Sequence, residues 1–323
     1  MRKSFLIIVF LLILAPLDAM WGFFAHQRIN RISVFLLPVE MKGFYKHKIQ
    51  YLTENAVNPD RRRYAVEGEA PRHYLDADVY GDSAVYKLPR YWKDAVEKYT
   101  EDTLMAYGIV PWHIYRVKGW LTDAMQIQDA EAILRLSADL GHYIGDANVP
   151  LHTTENYNGQ LTNQHGIHGF WESRLPELFS DNYNFFIGKA KYISNTQLAA
   201  WDALIHAHEA LDSVLLFEKQ LSNTMGADKK YSYETRGNTT IKTYSYDFSS
   251  TYHTRLNGMV ERQMLHAVKM TADFWYTCWV DAGQPDLDKL INFAFSDEEL
   301  KKRKEELDQW KEVKYKSRDH ESR

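Results

Sequence analysis

The chain has 323 residues, enough for one large domain or two small ones, and its 45% hydrophobic and 25% charged content is that of an ordinary soluble globular protein. A net charge of -4 excludes a broad, basic nucleic-acid-binding face, so any polyanion would have to be gripped locally. The single cysteine, Cys278, excludes an intramolecular disulfide framework and a cysteine-based zinc site; within the apolar run Phe274 to Val280 it reads as a buried structural thiol.

In chain order, Arg2 and Lys3 precede the apolar run Phe5 to Leu14, and Pro16 and Ala19 follow. This reads as a signal peptide over residues 1–20, and implies export to a periplasm, the medium or an outer surface. An uncleaved membrane anchor is the alternative, although the run is shorter than the roughly 20 residues of a spanning helix. Ile29, Ile32, Phe35 and Leu36 recur at helical spacing from about His26. Pro38 and Pro59 mark breaks, and the polar stretch Asn55 to Arg72 reads as a loop. Tyr91 to Tyr107 is amphipathic. Trp112 to Ala124 and Glu131 to Ala147 predict further helices, the latter with Ile133, Leu136, Leu140, Tyr143 and Ile144 on one face. Asn156 to Gln164 is a loop by composition, and Gly169 to Leu178 resumes helix. Thr196 to Leu221 and Arg255 to Val280 predict long helices. Between them, Tyr231 to Tyr252 alternates Tyr, Ser and Thr, as either a hairpin or a mobile insertion. From Ser296 the chain is almost purely charged, a solvated helix or a frayed end. The whole predicts an all-α fold: one multi-helix domain over residues 21–295, with a charged tail over 296–323 and no internal repeat. The 21 Tyr, 15 Phe and 9 Trp serve as core side chains, or a few of them line a ligand groove.

The chemistry concentrates in Gly141-His142-Tyr143-Ile144-Gly145-Asp146-Ala147-Asn148-Val149-Pro150-Leu151-His152. His142 and Asp146 are four apart, one helical turn, so an imidazole and a carboxylate share one face. They can bind one divalent ion, or two with the carboxylate bridging. His152 follows beyond Pro150, where the helix has ended. His168 and Glu172 repeat the four-residue spacing. One such pair is more often a surface ion pair. Two pairs with His152, set among Gly and aromatics, point to metal, and zinc accepts this nitrogen and oxygen donor mixture.

These residues resemble the superfamily that joins bacterial zinc-dependent phospholipases C to the single-strand-specific zinc nucleases of fungi and plants. Trp21 and His26 match its N-terminal ligands, and Asp60 in Asn58-Pro59-Asp60 its loop aspartate. Arg72-His73-Tyr74-Leu75-Asp76 matches its His, aromatic and Asp. His142, Asp146 and His152 match the central motif, and His168 and Glu172 the final pair. The match runs from Trp21 to about Glu172; the remainder is recognised only as helical.

The resemblance implies an all-α fold with three zinc ions in a cleft. Asp60, His73, His142 and Asp146 would hold one ion, and His152, His168 and Glu172 a second. Trp21 and His26, with bridging Asp146, would hold the third. A hydroxide between the first two ions would attack phosphorus, with Asp60 as the general base. Arg63 either contacts substrate phosphate or belongs to a solvated run with Arg61 and Arg62; Tyr74 either stacks on a base or packs in the core. His165 is read as a supporting or surface residue, His206 and His208 as structural, and His113 has no counterpart among the ligands. The amine of Trp21 is a ligand only if cleavage falls after Met20. Cleavage after Ala19 would remove it.

Glu172, the absence of disulfides and Asp76-Ala77-Asp78 favour a phospholipase C-like hydrolase, with a phospholipid headgroup as substrate. Arg63, and Phe24 where a choline-binding acid would stand, suit the nuclease alternative, with single-stranded nucleic acid as substrate. A non-catalytic zinc-binding protein is the third reading. No protein partner is inferred, and a monomer is expected.

Overall fold

A computed structural model describes residues 23–236 and 239–312. Residues 1–20, which the sequence reads as a signal peptide, and Trp21 lie outside the described residues. The fold is all-α, and a two-stranded antiparallel hairpin is the only sheet among the described residues. In chain order the helices are α1 (Phe23–Leu36), α2 (Val39–His47), α3 (Ile49–Glu54), α4 (Asn58–Arg62), α5 (Ala84–Lys87), α6 (Trp92–Tyr99), α7 (Glu101–Tyr107), α8 (Val110–Gln126), α9 (Ala130–Ala147), α10 (Ile167–Gly169), α11 (Leu175–Phe179), α12 (Thr196–Met225), α13 (Ala227–Lys230), α14 (Tyr246–Arg255), α15 (Met259–Asp281) and α16 (Asp297–Glu312). The hairpin is β1 (Tyr231–Arg236) and β2 (Thr239–Tyr244), and it joins α13 to α14.

Helix α9 is the centre of the molecule. Asp129 caps its start by accepting from the Ala132 amide at 3.0 Å. From Ser137 to Ala147 every residue is buried, because α1, α8 and α15 pack around it. Glycine permits the closest approach. A Cβ on Gly141 would lie 1.9 Å from Asn30 Oδ1, and one on Gly145 2.8 Å from His26 Nδ1. Polar side chains tie the helices through buried backbone groups. Asn30 Nδ2 donates to the Ala138 carbonyl, Ser33 Oγ to Val268 and Trp275 Nε1 to Ser137. Each meets a carbonyl already committed to a helix, so no buried donor in this set is stranded.

Several boundaries differ from the sequence reading. The stretch 55–72 is not all loop: it holds α4, with Pro59 in its first turn where the missing amide costs nothing, and a 3-10 turn begins at Ala70. Tyr91 to Tyr107 is two helices, because Thr100 adopts a positive φ of 68° and caps α7 with its hydroxyl. Arg255 ends α14, and Gly258, at φ 74°, starts α15. In 169–178 the turn Phe170–Arg174 is π-helical. Pro176 has no amide with which to continue the α-helical ladder. The hairpin ends at Tyr244, and Tyr252 belongs to α14, fully buried. The hairpin is anchored rather than loose. Tyr244 stacks on Phe170 at 3.8 Å, and Glu234 pairs with Arg174. The tail's α16 is mostly solvated but docked: Arg303 lies 3.8 Å from the Phe295 ring centroid and 3.5 Å from Glu131.

Backbone contacts place the 73–76 segment. Leu75 donates to the His152 carbonyl, Asp76 to Tyr107, and Val110 to Tyr74. Gly108 closes this junction at φ 94°, with the position of an added Cβ 2.2 Å from the Tyr74 carbonyl oxygen. Both strain and backbone collision oppose a side chain there. Gly108→Ala is expected to destabilise the fold by roughly 2–3 kcal/mol, read as a lower denaturation midpoint with unchanged slope. An unchanged midpoint would show that the junction is not under this constraint.

Candidate metal centre

Eight of the nine residues matched to ligands lie among the described residues, and they converge. Three groups have donor atoms within 4.8 Å of one another: His26, His142 and Asp146; Asp60, His73 and His142; and His152, His168 and Glu172. Helix α9 supplies His142 and Asp146, α1 supplies His26, and α4 supplies Asp60. His73 comes from the 3-10 turn after Ala70, and His152 from the turn that follows α9. His168 and Glu172 come from α10 and the π-helical turn.

The groups adjoin through carboxylates. Asp146 Oδ2 lies 2.9 Å from His73 Nδ1 and 3.2 Å from His142 Nε2. Its Oδ1 lies 3.4 Å from His152 Nδ1 and 3.5 Å from His26 Nε2. Asp60 Oδ1 is 3.5 Å from both His73 and His142. Glu172 reaches His168 at 2.8 Å, and His152 and His26 at 3.3 Å.

The donor set fits metal ions better than it fits its own hydrogen bonds. His142 Nδ1 is 2.9 Å from the Ala56 carbonyl, which can only accept, so its proton is there and Nε2 carries a lone pair. That lone pair faces His73 Nδ1 at 3.1 Å. His152 Nε2 and His168 Nε2 face each other at 2.8 Å. Two ring nitrogens at hydrogen-bond distance can share one proton, or both can turn lone pairs to a cation. Carboxylates and imidazoles gathered out of water are the donors zinc takes. The buried groups could therefore hold metal.

The titration behaviour agrees with this. Burial drives His142 down to about 3, and the charge on His26 adds to that. Burial likewise lowers His152, with Asp146 and Glu172 opposing. Both rings are neutral near pH 7 and ready to donate lone pairs. His26 differs. Burial works against its charge, but the Glu172 carboxylate, with Asp146 and Asp60 beyond, outweighs burial and raises it to about 9. Burial raises Asp146 to about 6 despite nearby His152 and His26, and it also raises Asp60. Glu172 is held well below the carboxylate range because His152 and His168 outweigh its burial.

The three arginines after Asp60 are not a uniform solvated run. Arg61 lies 5.4 Å from the Phe23 ring centroid. Arg62 pairs with Asp139 at 3.0 Å and Glu69 at 3.1 Å. Arg63 is 3% exposed, with Nε and Nη1 buried and without hydrogen-bond partners among the described residues, and its charge reaches Asp146. Its guanidinium lies 5.7 Å from the Tyr74 ring centroid. Tyr74 is itself buried. His165 is exposed on the loop and stands in none of the three groups. His208 meets Thr153 at 3.0 Å, and exposed His206 stands in none of the groups either. His113 is buried edge-on against Tyr143 at 4.6 Å.

Sequence reasoning missed the supporting groups. Glu69, Asp139 and Tyr143 form a buried network behind His73 with Arg62 and Arg72. Asp78 accepts from Thr154 and the Glu155 amide, which fastens the chain after His152. Asn158 accepts from the Gly166 and His168 amides. Glu69 stands four before His73, and the same spacing rule that singled out His142 and Asp146 would have found it.

No protein-family model matches the chain, and no curated protein sequence does. Among solved structures it is similar to the alpha toxin from Clostridium absonum, at 13% identity and a TM-score of 0.46. That alignment covers 84% of this chain and 66% of the toxin chain. No helix among the described residues is long and apolar enough to cross a membrane.

A metal-bound His26 must be neutral, whereas the metal-free ring is protonated below about 9. Zinc binding at pH 7.5 is therefore expected to release a proton from His26, and the release fades as pH rises through about 9. Calorimetry in buffers of different ionisation enthalpy measures it. A binding heat independent of buffer would remove His26 from the ligand set.

Proposed function

We propose that this chain is a zinc-dependent phosphodiester hydrolase of phospholipase C-like type. The observation that carries the reading is the convergence of three adjoining, largely buried donor groups beside a buried arginine whose Nε and Nη1 have no hydrogen-bond partner among the described residues. Asp60, His73, His142 and Asp146 would hold one ion, and His152, His168 and Glu172 a second. His26 and Asp146, with Trp21, would hold a third. Bound zinc supplies Lewis acidity toward phosphoryl oxygens and brings water to a pKa of roughly 7.

The chain's own residues do the rest. Asp60 takes the proton of the attacking water, and its burial, which raises its affinity for protons, makes it a better base than an exposed aspartate. Oxygen joins phosphorus as the bond to the leaving oxygen breaks, and the leaving oxygen takes up a proton. Arg63 directs its free N–H groups to phosphate oxygens, charge-assisted contacts that strengthen as negative charge builds. Tyr74, packed beside the guanidinium, restricts its orientation. The net charge of -4 poses no obstacle, because the positive field for a phosphate is local.

A phospholipid headgroup is the favoured substrate, on the strength of Glu172 and the lack of disulfides. Export through the N-terminal segment belongs to the same reading. Zinc-loaded mature protein should release phosphocholine from phosphatidylcholine and leave single-stranded DNA intact. Nucleotides from DNA alone would move the chain to the nuclease reading. Neither product, with zinc bound, would favour a binding protein.

Asp60→Asn is expected to lower turnover by about 10²–10⁴, with most zinc retained when the metal is counted against protein. Full activity in that variant would remove Asp60 from the role of base.

A further inference from the structure

Away from the central cluster, imidazoles from two helices approach each other at the surface. His206 on α12 and His266 on α15 have ring centroids 6.1 Å apart, with their planes at 83°. The two helices are joined at this level, where Gln263 Nε2 donates to the His206 carbonyl at 3.4 Å. Asp202 stands four residues before His206 on α12, the spacing that also pairs His142 with Asp146 on α9. All three residues are exposed. Asp202 makes no hydrogen bond or ion pair among the described residues, and its charge is felt at His266. Asp273, the other carboxylate near His266, is already engaged: Lys269 Nζ meets it at 2.5 and 2.6 Å, and the Lys191 amide donates to it at 2.6 Å.

We propose that His206, His266 and Asp202 form a further metal site, a surface site for one divalent transition-metal ion such as zinc. Zinc takes two imidazoles and a carboxylate and leaves its fourth position to water. The hydrogen bonds of His266 leave it a nitrogen for the task. Asn148 Nδ2 donates to the Ile144 carbonyl at 2.8 Å, so its Oδ1 is the atom that faces His266 Nδ1 at 2.6 Å. An amide oxygen only accepts, so the proton of the neutral ring is on Nδ1 and Nε2 carries the lone pair. Packing of the ring, and then the charges of His206 and Lys269, lower its pKa against the pull of Asp273 and Asp202, so it is neutral near pH 7. Two rings bound to one zinc at about 2.1 Å have centroids about 5 Å apart. The observed separation exceeds this by about 1 Å, which exposed side chains cover by rotamer changes. The donors are not drawn together as in the central groups, whose atoms lie within 4.8 Å of one another, so this ion is held more weakly than one in a preformed site. His266 also fastens Asn148, which ends α9 two residues after Asp146. The site therefore abuts the support of the central cluster but shares no ligand with it.

The test counts zinc. Full-length chain is dialysed to equilibrium against rising free zinc, and bound metal is measured against protein. The parent is expected to bind one equivalent more than His206→Gln, with the extra ion taken up at the highest zinc concentrations. Asp202→Asn should weaken that uptake without abolishing it. His47→Gln, which removes an exposed imidazole from α2, should bind like the parent. Because parent and variant are compared, the difference does not depend on how many ions the central cluster holds. A parent that binds no zinc at the centre would sink the proposed function and leave this difference to be read on its own. Equal counts for parent and H206Q would overturn the site. So would the same loss in H47Q, which would mean that surface imidazoles take up zinc singly. If H206Q does not fold, His266→Gln carries the test, and a parent-like count in it would overturn the proposal equally.

Discussion

Three carboxylates, Asp60, Asp146 and Glu172, and five imidazoles meet where water is largely excluded. Taking one such charge from water costs several kcal/mol unless it is matched. Without a cation the cluster manages by moving protons. His26 takes one against its burial, Asp146 is pushed toward keeping one, and Glu172 stays ionised between two rings. This is a compromise among groups that each have a cheaper state in water. A hydrophobic core has no use for it, and it is the constraint to which the surrounding helices are fitted.

The fitting is visible in how close α1 comes to α9. Gly141 and Gly145 leave room for Asn30 and His26, and any larger residue would push α1 outward. That displacement would carry His26 away from Asp146. The turns bearing His73 and His152 are tied to each other by the Leu75 amide, so they move together. The final pair sits on the irregular turn, and its neighbours Phe170 and Arg174 are held by the hairpin. The hairpin thus braces Glu172 from outside, a use for the Tyr-rich segment that a mobile insertion would not have.

The sequence carried the cluster because its members are polar residues at helical spacing in an apolar setting. His142, Asp146, His168 and Glu172 announce themselves by period and by the Gly and aromatic residues beside them. The helices were legible for the same reason, with Ile133, Leu136 and Leu140 as the clearest stripe. What escaped depends on distant partners. Thr100 breaks a continuous amphipathic pattern through a single positive φ that its sequence neighbours do not demand. Arg61, Arg62 and Arg63 are adjacent and alike in type. Only the positions of Phe23, Asp139 and Asp146 assign them three different surroundings. Glu69 was hidden among other charges in a stretch whose composition reads as loop.

The same reasoning separates Arg62 from Arg63 in function. Arg62 has its charge matched on two sides and its N–H groups occupied, so it has little left to offer a ligand. Arg63 is more deeply buried, and yet Nε and Nη1 have no hydrogen-bond partners among the described residues. An unsatisfied buried donor costs about 1–3 kcal/mol, and more when it is charged. A fold that had no use for that donor could relieve the cost with any apolar residue of similar size. Its place one α-helical turn beyond Asp60, at the edge of a cluster rich in negative charge, is what the proposed phosphate contact would require. Under that proposal the donor would be held in place before the anion arrives, with the desolvation cost met in folding rather than in binding.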